Sequence, residues 1–147
     1  MDCIHFDSNV CVGKRGLKRK LALRKIKDVL AVMDPCSVSA ALVYSGWSKN
    51  DAPRYGNERL GNEQRKSDRL YGCYTVLPET CGDFFDPDGM VRDMKSKNMV
   101  AAEIFPASHH YAGDQGGMGG YFEAEAQNDI PLLADVKELG FDQVARI

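Results

Sequence analysis

At 147 residues the chain has the length of one ordinary domain, and its 44% hydrophobic and 27% charged residues exclude a disordered protein. No run nears the roughly 18 apolar residues of a membrane span, and the start from Met1 to Asp7 lacks a leading basic region, which argues against a secretory signal. Five cysteines (Cys3, Cys11, Cys36, Cys73, Cys81), an odd number with no C-x-x-C pair, argue against a disulfide framework or zinc knuckle. A cytoplasmic chain whose thiols act mostly as small core residues is the expectation.

The net charge of −2 is unevenly spread. Residues 1–75 hold 14 Lys/Arg against 8 Asp/Glu, or +6; residues 76–147 hold 5 against 13, or −8. Eight of the fourteen residues from Lys14 to Lys27 are basic. No aromatic interrupts that run to stack on bases, so it reads as a solvated helix face and no nucleic-acid partner is expected.

In chain order, strands are expected at Cys3–Asp7, Ser39–Tyr44, Leu70–Leu77, Met99–Phe105 and Pro131–Asp135. Between them lie helical patterns. Arg19–Asp34 carries Leu23, Ile26, Leu30 and Met33 on one face, with Pro35 as its stop. Asn57–Asp68 is polar, with Leu60 as its anchor. Pro87–Asn98 opens on proline and turns Met90, Val91 and Met94 inward. Tyr121–Asn128 is shorter. Phe141–Ile147 reads as a helix cut off early, with Val144 and Ile147 inward.

Strict β-α alternation argues for parallel strands joined by crossover helices in a single domain, residues 1–147. Strand starts are 36, 31, 29 and 32 residues apart. Both a (β/α)8 barrel and a five-stranded doubly wound domain use such a unit. The short, apolar last helix favours the first five units of a barrel, truncated, with strand order 1-2-3-4-5. The flavodoxin-like alternative, able to take a small anion or nucleotide, would have order 2-1-3-4-5. Neither G-x-G-x-x-G nor a Walker A pattern follows the first strand.

Taken together, several segments resemble the amidohydrolase-related family of metal-dependent hydrolases. Phe6-Asp7-Ser8-Asn9-Val10-Cys11-Val12-Gly13 is similar to its opening strand, hydrophobic-Asp-x-His-x-His-x-Gly. Gly56-Asn57-Glu58-Arg59-Leu60 stands where the family has Gly-Asn-x-x-Leu. Val76-Leu77-Pro78 resembles the proline-ended third strand. Ala102 to Tyr111 resembles the fourth strand with its loop, and Asn128 to Leu133 the entry to the fifth.

The resemblance implies a TIM barrel that hydrolyses C–N or C–O bonds, or decarboxylates, using a divalent metal such as zinc. Its paired histidines would fall at Asn9 and Cys11 and a third at Asp135, so the ligand set is degenerate and no cofactor is expected in this chain. Catalytic residues stay unassigned. Barrel-mouth positions that would meet a small-molecule substrate are Trp47, Glu103, His109 and His110. His109 and His110 read foremost as an exposed loop pair, His5 as a buried hydrogen-bonded histidine, and Gly113 to Gly120 as a flexible loop. The different-class reading is a non-catalytic half-barrel acting as an association or binding module, whose open strand edges invite self-association or a missing second half.

Overall fold

The computed structural model describes residues 5–14, 23–80 and 82–147. The chain packs as two compact units, Met1–Cys73 and Tyr74–Ile147. The first holds strand β1 (His5–Val12), helix α1 (Ile26–Met33), β2 (Val38–Ser45), α2 (Gly46–Asn50), α3 (Pro53–Gln64) and most of β3 (Leu70–Thr75). The second holds α4 (Pro87–Ser96), β4 (Met99–Ile104), α5 (Pro106–His109), α6 (Gln115–Gln127), β5 (Leu132–Ala134), α7 (Val136–Leu139) and α8 (Phe141–Val144).

The strands are ordered β1-β2-β3-β4-β5, and the pairs β1–β2, β2–β3 and β4–β5 run parallel. The sequential order is the one expected of successive barrel units and differs from the doubly wound order.

In the first unit, α1 packs on β1 and β2, and α3 packs on β2. Ile26, Val29 and Met33 bury one stripe of α1. Arg69 fastens the start of β2: its guanidinium donates to the carbonyls of Val38 (2.7 Å) and Ser39 (3.0 Å) and pairs with Asp34 at 2.7 Å. Gly56 and Asn57 have a packing explanation. A Cβ on Gly56 would lie 2.2 Å from Ser48 Oγ, and the Ser48 hydroxyl donates to Asn57 Oδ1 at 3.1 Å. With Leu60 only 2% exposed, the Gly-Asn-x-x-Leu stretch is the seam that locks α2 onto α3.

In the second unit Met90, Val91 and Met94 are buried on α4, as their spacing implies. Asp86 caps α4 by accepting from the Gly89 amide at 2.6 Å. The Tyr74 hydroxyl donates to Asp93 at 2.7 Å.

Several expectations need correction. The first strand runs on to Val12, while Cys3, Ile4 and residues 19–22 lie outside the described residues. The glycine-rich segment is largely helix: α6 begins at Gln115, its Asp114 cap accepting from the Gly117 amide at 3.1 Å. A helical glycine costs about 1 kcal/mol against alanine, whereas burying a large apolar side chain returns roughly 1.5–3 kcal/mol. Met118, Tyr121 and Phe122, all buried, therefore outweigh Gly116, Gly117, Gly119 and Gly120.

In place of one closing helix, the segment after β5 holds two single turns, parted at Gly140 with φ of 73°. No continuous helical face exists there, so Val144 and Ile147 are exposed rather than inward. His5 is exposed on the edge strand β1, not buried. His109 ends a short helix instead of lying in a loop. Cys11 and Cys73 are buried, but Cys36 is exposed.

Candidate functional site

A cavity of about 310 Å³ lies within the first unit at the carboxyl ends of β1 and β2. In parallel α/β sheets that edge is where ligands bind, and the volume is at the small end of ligand sites. Val12 and Ser45, the last residues of the two strands, form its floor. Ile26 of α1 and Leu60 of α3 add apolar wall.

Trp47 enters the cavity because α2 is tightly placed. Ser45 Oγ accepts from the Trp47 amide at 3.2 Å, starting the helix directly off the strand. Gly46 permits the approach: a Cβ there would stand 2.0 Å from the Lys14 carbonyl oxygen. Asn50 closes the turn, its amide donating to the Gly46 carbonyl at 2.7 Å. Gly13, with φ of 100°, turns the chain out of β1 beside the indole, and its amide donates to the Leu23 carbonyl at 2.8 Å.

Charge dominates the rest of the lining. Arg24 and Lys25 precede α1, while Arg59, Glu63 and Lys66 repeat at helical spacing along α3 and its end. Lys66 is neutralised by Glu63 at 2.6 Å. The Arg59 guanidinium sits 5.8 Å from the Trp47 ring centroid and donates to the Tyr55 hydroxyl at 3.4 Å. Lys14 lies 5.1 Å from the same ring and pairs with Asp51 at 3.3 Å. Asp28 spends its carboxylate on the backbone amides of Arg24 and Lys25, at 3.0 and 2.9 Å. Among the described residues, no carboxylate pairs with the side chains of Arg24, Lys25 or Arg59.

The other expected site residues are dispersed. Asn9 is exposed on β1, where Asp7 Oδ1 accepts from its amide at 3.1 Å and the pairing with β2 shifts register. Cys11 is 3% exposed. Asp135 caps α7, accepting from the Lys137 amide at 2.9 Å. Among the described residues no three His, Cys, Asp or Glu side chains are grouped to hold a metal ion. Glu103, on β4, is buried and accepts from the Thr75 hydroxyl at 3.1 Å. His109 is half-buried, edge-on to Phe105 and stacked on Tyr111. His110 caps α5 in the left-handed region and is exposed. The adjacent histidines thus have separate structural positions.

One buried acid has no counterpart among the residues singled out from sequence. Glu125 continues the core-facing stripe of Met118, Tyr121 and Phe122 on α6 and is 2% exposed. Neither carboxyl oxygen has a hydrogen-bond partner among the described residues. Burial pushes its pKa up to about 7. Burial also raises the Tyr111 phenol, whose hydroxyl donates to the Val76 carbonyl at 3.4 Å.

Both the cavity's cations and this acid leave a trace in the sequence. Arg24 and Lys25 belong to the basic run, and Arg59, Glu63 and Lys66 are spaced i, i+4, i+7. Glu125 stands seven residues after Met118, at a stripe position. Comparison with protein-family models, with curated proteins and with solved structures gives no match to this chain.

Proposed function

We propose that this chain is a small-molecule-binding α/β module, with its ligand site in the cavity over β1 and β2. The observation that carries this reading is the convergence of Trp47 and three cations, without carboxylate partners among the described residues, on one concave space at the carboxyl edge of parallel strands. The module acts by binding, and no metal takes part. No helix among the described residues is long and apolar enough to cross a membrane.

The test is heteronuclear NMR on the full chain, titrated in turn with small organic anions and neutral aromatics. Saturable shifts confined to the Gly13 amide, the Trp47 indole and the start of α1 are expected. Shifts scattered over both units, or none for any compound, would sink the reading.

The amidohydrolase-related reading is the second proposal. It draws support from the sequential strand order and from Glu103 at the carboxyl end of β4. A hydrolysis assay on amide and ester substrates, with and without added zinc, decides it. Turnover abolished in Glu103→Gln, with an unchanged fold, would favour it over the binding module.

A further inference from the structure

The chemistry of the cavity specifies more than a small ligand, and the ligand class it selects rests on the binding reading above. Arg24, Lys25 and Arg59 bring three positive charges to one space, and the one carboxylate among its described lining residues, Glu63, is paired with Lys66. Like charges held together in a concave site repel one another and focus a positive potential on whatever enters. A single carboxylate would leave most of that repulsion in place, whereas a dianion relieves it.

Phosphate monoesters carry about −1.5 to −2 charge at pH 7 and offer three acceptor oxygens. Guanidinium and ammonium donors are the side chains that bind them. The rest of the cavity wall is different in kind: Val12, Ile26, Leu60 and the Trp47 indole are apolar. A bare inorganic anion would leave that wall wet.

We propose that the cavity binds a small organic phosphate, its phosphoryl group among Arg24, Lys25 and Arg59 and its apolar body against Trp47 and Ile26. Trp47, the chain's single tryptophan, is then the platform for the ligand's body.

Isothermal calorimetry on the full chain tests this with phenyl phosphate, benzoate, phenol, inorganic phosphate and a short oligothymidylate. Phenyl phosphate is expected to bind at least about tenfold more tightly than benzoate or inorganic phosphate, and phenol far more weakly still. Lys25→Ala and Arg24→Gln are each expected to weaken phenyl phosphate about tenfold or more. Lys95→Ala, whose ammonium donates to Asn128 on the second unit, is expected to change nothing. Far-ultraviolet circular dichroism checks that each variant is folded, and the two independent substitutions keep the test open if one is not.

Phenol binding as tightly as phenyl phosphate would overturn the phosphate assignment while leaving the binding module standing. Tighter binding of the oligonucleotide would overturn it in favour of a nucleic-acid surface. No binding of any probe would remove both the assignment and the binding module.

Discussion

The two units handle charge in opposite ways. The first gathers cations around a cavity, three of them without a carboxylate partner among the described residues, and bonds its buried Ser48 hydroxyl to Asn57. The second draws carboxyl groups into its interior: Glu103 with a hydroxyl donor, Glu125 with none. Solvent screens part of the repulsion among these cations when the cavity is open to it, and leaves their side chains accessible. A dry carboxyl is a cost to folding unless it holds its proton. On the binding reading proposed above, the difference separates charge that meets a ligand from charge that sets the conditions of stability.

The sharpest test of that contrast is pH. Glu125 has a folded-state pKa of about 7 against an ordinary glutamate value near 4.5. The folded state therefore binds its proton more tightly than the unfolded state. The associated stability is fully present below about pH 4.5, declines as pH rises, and is gone above about 7. The shift corresponds to about 3 kcal/mol. Urea unfolding at pH 5 and pH 8 should show a loss of that order, and Glu125→Leu should remove the dependence by stabilising the protein at pH 8. A wild-type profile flat across this window would break the comparison.

Smaller effects are expected elsewhere. Thr75→Val takes a hydroxyl donor from buried Glu103 and should cost about 1–3 kcal/mol by chemical denaturation. Asp135→Ala removes the cap of α7 and should cost about 1 kcal/mol while leaving the zinc content of the purified protein unchanged. Arg24→Gln and Lys25→Ala should alter stability by no more than about 0.5 kcal/mol, since neither side chain is held in an ion pair among the described residues. A loss well above that from either would assign these cations a structural role and undo the distinction between the units.

What the sequence conveys depends on how locally each feature is encoded. The strands at 38–45, 70–75 and 99–104 are short apolar runs bounded by turns, and their order in the sheet needs only the β-α alternation. Trp47's place at the carboxyl edge of the sheet is legible, because it directly follows a strand. The helix holding it is not. Five residues from Gly46 to Asn50 have no periodicity to detect, and the helix exists through the Ser45 cap and the packing of Ser48 on Gly56. Arg59 reads in sequence as part of a family motif; its place in one cavity with Arg24 and Lys25, some 34 residues away, is reported by no local pattern. Asp135 and Asn9 read as degenerate ligands, while a cap and a turn account for the contacts of each.

The glycines of α6 bear on how the second unit opens. Gly116, Gly117, Gly119 and Gly120 occupy its first two turns, and the buried stripe there is anchored by Met118 alone. From Tyr121 onward the helix carries Phe122, Ala124 and Glu125 into the interior. Backbone order in the first part depends on one side chain and one cap, and in the second on a continuous seam. The helix is thus two cooperative segments in one hydrogen-bonded ladder. Amide protons from Gly117 to Gly120 should therefore exchange through local fraying, ahead of those around Ala124 and Glu125.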